Sequence, residues 1–289
     1  MTRISYLNEK FLPHEQCFVH IEDRGFQFAD GAYEVTLFEN GKLIDGEFHA
    51  KRLMRSLNEL NINHSFSVEK ILEIQLELFK KNNYQGKATC YIQITRGAFN
   101  RVPYCPKNLE STICATVSPR KTVSEDEFKN GFRIMTHDDI RWHRCDIKTV
   151  NLLASTLVNQ KAKDSGFDDA IFVRNNVVTE ATYANVFMVD NNDNLITHPA
   201  DNNILTGITR NRLIMIAKEN NLNVIEKTFG IDEALKAKEV FLTSSSLLIR
   251  PVKSINNLLI NYIDGGDNFK IAKLLTNRYN EFIESHSWI

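Results

Sequence analysis

Short asparagine-centred turns between β-rich runs constrain this chain most. Asn40-Gly41 separates the runs 33–38 and 42–44, Asn175-Asn176 separates 169–173 from 177–179, and 191–194 separates 184–189 from 195–197. Asn and Gly adopt positive φ at low cost, which the tightest hairpin turns demand. Strands joined in this way lie antiparallel. The chain therefore reads as α+β, with mostly hairpin-linked strands rather than a regular βαβ alternation.

Around these hairpins, further strands are expected at 4–7, 18–21, 88–95, 111–117, 132–135, 224–227 and 239–243, with a last hairpin over 252–263. Helices are expected at 47–60, 67–82, 149–164, 209–220, 231–238 and 267–285. In the first of these, Phe48, Leu53, Leu57 and Leu60 fall close to helical spacing, and Gly166 suits the C′ position after 149–164. A length of 289 residues suggests roughly two domains. The polar stretch 118–126 shows no clean period and marks the boundary. It separates a small N-terminal domain, 1–120, from a larger C-terminal one, 127–289, with 121–126 as the interdomain loop.

Bulk composition excludes several function classes. Thirty-five Lys and Arg against 36 Asp and Glu leave a net charge of -1, too little basic field for a general nucleic-acid binder. Five scattered cysteines without a CxxC pair fit reduced thiols in a cytoplasmic protein. No apolar run approaches the ~18 residues of a membrane span, and the first residues carry no apolar leader core. The eight histidines show no metal-ligand spacing, so no metal site is expected. Neither GxGxxG nor a Walker A pattern is present.

Lys148 stands where a polar cluster, Arg141 to Asp146, runs into an apolar pattern. Packing against Ile147, Val150 and Leu152 would disfavour the ammonium form and free the amine as nucleophile and base; the plain alternative is a solvated lysine in a helix's first turn. Glu180, between two apolar strands, needs a cation or protonated nitrogen if buried, or else lies exposed at a turn. Gly207-Ile208-Thr209 opens a helix and offers N–H groups to an anion, or is simply a capped start. Thr243 to Ser246 places four hydroxyls after a buried-looking strand, as a phosphate site or an ordinary turn would. Arg52 is either an anion ligand or a surface helical residue.

Taken in order, these residues resemble the class IV aminotransferases, the fold-type IV enzymes that use pyridoxal 5′-phosphate. The resemblance runs along nearly the whole chain. It includes Asp23-Arg24-Gly25, Asp30 to Glu34, Arg96-Gly97, Arg144 to Lys148, Thr179-Glu180 with Asn185-Val186-Phe187, and Gly207 to Arg210. Arg141-Trp142 and Asn151-Leu152-Leu153 make the D-amino-acid branch, the D-alanine transaminases, the most similar. The resemblance implies transamination between a D-alanine-like amino acid and a 2-oxo acid such as 2-oxoglutarate or pyruvate. It implies an internal aldimine on Lys148, Glu180 at the pyridine nitrogen, and Arg52, Gly207, Ile208, Thr209, Ser244 and Ser245 as cofactor ligands. Tyr33, Arg101 and Ser246 would meet the substrate, and the enzyme would be a homodimer.

Two positions depart from that branch. Its loop carries an Arg-x-His pattern that holds the substrate carboxylate, whereas this chain reads Arg101-Val102-Pro103, and proline has no side-chain donor. The serine-rich run after the glutamate becomes Ala181-Thr182-Tyr183-Ala184. A branched-chain L-amino-acid aminotransferase or an aminodeoxychorismate lyase of the same fold therefore stays open. So does a binding protein that keeps the fold without the chemistry, although such a protein has no physical need for both Lys148 and Glu180.

Overall fold

The computed structural model describes residues 2–106, 108–262, 266 and 268–285. The chain divides into two compact units. The first comprises the chain up to Arg120 together with Ile147–Asn151; the second comprises Lys121–Asp146 and the described chain from Leu152.

In the first unit the order is β1 (Ile4–Leu7), β2 (Lys10–Pro13), α1 (Arg24–Phe28), β3 (Gly31–Glu39), β4 (Lys42–Ile44), α2 (Gly46–Glu59), α3 (Val68–Lys81), β5 (Lys87–Thr95) and β6 (Thr112–Pro119). The strands form one antiparallel sheet in the order β2-β1-β6-β5-β3-β4. Alternate residues of β5 and β6 are buried, including Cys90, Ile92, Ile94, Ile113, Ala115 and Val117. The stripes of α2 and α3 that share this core carry Leu53, Leu57, Ile71 and Leu78, all fully buried. Burying each such side chain stabilises the fold by about 1.5–3 kcal/mol. The β3-β4 turn has φ 51° at Asn40 and 81° at Gly41, as a tight hairpin requires.

The expected strand at 18–21 does not form, and Phe18 and Ile21 are 79% and 75% exposed. The place beside β1 is taken instead by β2, paired over Lys10–Pro13.

The second unit contains α4 (Glu125–Asn130), β7 (Phe132–Asp138), α5 (Leu153–Asp164), β8 (Asp169–Arg174), β9 (Val177–Ala181), β10 (Asn185–Val189), β11 (Leu195–Thr197), α6 (Ile208–Glu219), β12 (Val224–Glu226), α7 (Ile231–Leu235), β13 (Glu239–Ser244), β14 (Leu248–Ile255), β15 (Leu258–Leu259) and α8 (Lys270–Ser285). Its sheet runs β12-β11-β10-β13-β14-β7-β8-β9, with β15 against β14. Hairpins join β8 to β9, β10 to β11 and β13 to β14. The pairs β7-β8, β7-β14 and β11-β12 are parallel, and the first and last of these are bridged by helices α5 and α6. β10 is buried throughout, and Phe187 stacks on Phe241 of β13 at 5.3 Å.

Several expected boundaries shift. The stretch 121–126 is not all loop, because α4 starts at Glu125. Ser124 Oγ accepts from Glu127 N at 3.1 Å while the Glu127 carboxylate accepts from Ser124 N at 2.9 Å, a reciprocal cap. Helix α5 starts at Leu153, not 149, since 147–151 pairs in the first unit instead. The last hairpin is β14-β15, with Ile263 outside the described residues; of the expected helix 267–285, Asp267 lies outside them too. Among the described residues no helix is long and apolar enough to cross a membrane.

Candidate active site

Lys148 sits in the first unit on an extended segment laid along the start of β3. Tyr33 N donates to the Lys148 carbonyl at 3.0 Å, Val150 N donates to the Gly31 carbonyl at 3.1 Å, and Ala32 bridges Thr149. The lysine's own N–H donates to Ser56 Oγ of α2 at 3.3 Å. It is thus held by backbone pairing rather than standing in a helix's first turn. Its Nζ lies 4.3 Å from the centroid of the Tyr33 ring, which in turn faces Tyr91 at 5.5 Å. A cation or amine over an aromatic face is attracted by the ring quadrupole. Lysine and Tyr33 are therefore neighbours.

Arg52, on α2, is not a surface residue. Its Nε and one terminal nitrogen donate to the two oxygens of Glu34, at 2.6 and 2.9 Å, and His49 Nδ1 lies 2.7 Å from the same carboxylate. The side chains of Arg52, Glu34 and His49 are 9%, 1% and 3% exposed. Burial alone would push the Glu34 carboxyl up; Arg52 and His49 outweigh it and hold the group far below the usual carboxylate range.

Arg101 lies on the loop after β5. Its guanidinium is 5.1 Å from the Phe28 ring, and Arg24 is 4.6 Å from that ring. Arg24 donates to the carbonyls of Val102 and Tyr104 at 2.9 and 3.4 Å and to Asp30 at 2.9 Å. The loop is therefore anchored by its backbone, while Pro103 adds no donor of its own.

In the second unit the buried Glu180 closes β9. It accepts from Arg141, from Asn185 Nδ2 at 3.2 Å and from Leu205 N at 3.0 Å. Arg141 is also gripped by Asp139, through Nε at 2.9 Å and NH2 at 2.8 Å, and Asp139 meets Arg174 at 3.2 Å. Burial works against the charge on Arg141, but its hydrogen bonds to Asp139 and the nearby charge of Glu180 raise its pKa above the ordinary value. The same arginine pair holds Asp139 below the usual carboxylate range against its own burial.

Asn185 joins this carboxylate to the start of α6. Its Nδ2 also donates to the Leu205 carbonyl at 2.8 Å, and a Cβ on Gly207 would run into its Oδ1. Gly207 is the N-cap of α6 with no side-chain cap, so the first-turn N–H groups at Ile208 and Thr209 have no intrahelical acceptor. Asn185 pairs in register with Thr243, whose Oγ is buried with no hydrogen-bond partner among the described residues. After it, Ser244 Oγ lies 3.3 Å from Ser246 Oγ, with Ser245 in the intervening turn. The turn ends at Leu248, held at φ 57°.

The predicted residues thus fall into two sets. Lys148, Tyr33, Arg52 and Arg101 belong to the first unit; Glu180, Gly207, Ile208, Thr209 and Ser244 to Ser246 belong to the second. Lys148 touches Tyr33, whereas Arg52 is bound to Glu34 and Arg101 to Phe28. Sequence reasoning assigned no part to Glu34, His49, Asp139, Arg141 or Asn185. Glu34, Arg141 and Asn185 lie in the runs that carry the family resemblance, whereas His49 and Asp139 had no such signal. An uncapped helix start, a glycine that admits no side chain and an unpartnered buried hydroxyl fit a phosphate-bearing cofactor. No group of three His, Cys, Asp or Glu side chains suits a metal ion among the described residues.

Residues 31–255 match the family model of the class IV aminotransferases. A D-alanine aminotransferase of Bacillus licheniformis is 40% identical over 253 residues, 88% of either chain. One of Staphylococcus aureus is 35% identical over 283 residues, 98% of either chain. Branched-chain aminotransferases of Escherichia coli and Thermoproteus uzoniensis superpose with TM-scores of 0.88 each. They are 20% and 19% identical, covering 97% and 98% of this chain and 94% and 95% of theirs, and share its fold. The chain belongs to the class IV aminotransferases.

Proposed function

We propose that this aminotransferase exchanges an amino group between a D-alanine-like amino acid and a 2-oxo acid such as 2-oxoglutarate or pyruvate, working as a homodimer with pyridoxal 5′-phosphate. The observation that carries the substrate reading is the likeness to D-alanine aminotransferases at 32–40% identity over most of the chain. Class IV aminotransferases are pyridoxal-phosphate enzymes, and the cofactor, when bound, supplies an electron sink for negative charge at the substrate Cα.

In this reading Lys148 ties the cofactor to the chain, and its Nζ takes up and returns the proton of the substrate Cα. Its pairing with β3 keeps the amine over Tyr33, which with Arg101 and Ser246 orients the substrate. Glu180 accepts from a protonated ring nitrogen, with Arg141, Asn185 and Leu205 N fixing its two oxygens. Arg52, Gly207, Ile208, Thr209, Ser244 and Ser245 hold the phosphate. Borohydride should fix the cofactor covalently to Lys148. A Lys148→Ala protein with full turnover would sink the assignment.

Pro103 favours a second reading, a branched-chain L-amino-acid aminotransferase, because the loop lacks the D-branch donor at that position. Assays of D-alanine, L-leucine and aminodeoxychorismate side by side separate the readings. Faster turnover of D-alanine supports the first, and faster turnover of L-leucine supports the second. Release of 4-aminobenzoate without a second half-reaction makes the enzyme a lyase.

A further inference from the structure

We infer that Glu34 and His49 are positioning residues for recognition of the cofactor phosphate, acting through Arg52; the inference rests on the proposed role of Arg52. An arginine on an exposed helix face samples many rotamers, and ordering it against a phosphate costs entropy. Here that ordering is done beforehand. Glu34 engages two of the five guanidinium donors with both carboxylate oxygens, which sets the plane and position of the group. His49, one turn before Arg52 on α2, approaches Oε2 of the same carboxylate and adds a further hold on it. Glu34 itself is held on β3, paired with Ile92 across the β3-β5 ladder. The triad thus ties the arginine of a helix to a strand of its own sheet.

This arrangement is not needed for packing alone. A buried ion pair is often no more stabilising than apolar residues of the same size, so its retention asks for a use. Preorganising a planar cation for an oxyanion is such a use.

The test compares binding of pyridoxal 5′-phosphate with binding of pyridoxal, which lacks the phosphate, followed by absorbance and by equilibrium dialysis. The unmodified enzyme, Glu34→Gln, His49→Asn and Arg52→Ala are measured, each with its melting curve. The expected result is a roughly 10- to 100-fold loss of affinity for the phosphorylated form in Glu34→Gln, the size of a lost charge-assisted hydrogen bond, with pyridoxal binding unchanged. His49→Asn, which leaves the Glu34–Arg52 pair in place, should show a smaller loss of the same selective kind. Equal loss for both ligands in Glu34→Gln and His49→Asn would mean general structural damage and overturn the inference. If Arg52→Ala alone loses the preference for the phosphorylated form, the inference fails and the reading of Arg52 stands. If Arg52→Ala keeps the preference, the reading of Arg52 fails, and the inference with it.

Discussion

In the first unit one carboxylate, Glu34, faces both Arg52 and His49; in the second, two carboxylates, Asp139 and Glu180, share Arg141, and Asp139 also meets Arg174. The difference lies in which partner is expendable to the fold. Removing Glu34 leaves Arg52 without the bidentate partner that fixes it. Removing Glu180 leaves Arg141 with a bidentate carboxylate behind it. In the first unit the compensation of the arginine's charge rests on one acid; in the second, two acids share it.

The largest expected effect follows directly. Glu34→Ala should lower unfolding free energy by about 3–5 kcal/mol, as for a buried pair stripped of one member, read by urea denaturation. A loss no greater than that of Glu180→Ala would break the comparison. Acid should reveal the same asymmetry. The Glu34 and Asp139 carboxyls are lowered in the folded state, so their stabilisation is complete above the unfolded values near pH 4 and is lost as pH falls through the folded ones. Denaturation midpoints should therefore fall below about pH 4, and the fall should be shallower in Glu34→Gln.

Glu180→Ala should cost about 1–3 kcal/mol, because Asp139 still neutralises Arg141, while turnover drops far more than stability. Gly207→Ala should cost about 1 kcal/mol or slightly more by displacing Asn185, with weaker binding of pyridoxal 5′-phosphate than of pyridoxal as the sharper readout. Ser244→Ala should change stability by no more than about 0.5 kcal/mol, since its contact with Ser246 lies at an open turn.

Much of the fold was legible because hairpin turns and helical stripes are local signals. Asn40-Gly41 and Asn175-Asn176 take positive φ as their chemistry suggests, and α2 and α3 begin within one residue of the expected positions. What misled was pairing at a distance. Phe18 and Ile21 look like strand residues, yet they lie exposed outside any strand, and β2 rather than 18–21 takes the place beside β1. Thr149 and Val150 continue a helical pattern in sequence, yet Gly31 and Tyr33, more than a hundred residues earlier, draw that backbone into extended pairing. The candidate residues follow the same rule. Lys148 and Glu180 stand out as charges among apolar neighbours, whereas Glu34 acquires meaning from Arg52 on α2, and Asp139 from Arg174 on β8 as well as from the neighbouring Arg141.

The segment Ile147–Asn151 belongs to one unit while the chain on both sides of it belongs to the other. A gene cut at the junction after Arg120 would therefore yield a first fragment whose sheet is complete but whose lysine is missing. Split-protein complementation could restore the amine only if the second fragment threaded that five-residue passage back along β3. Domain shuffling by simple fusion is closed to such a topology: Lys148 and the tyrosine its amine faces travel on separate stretches of the chain, so both units must be inherited together.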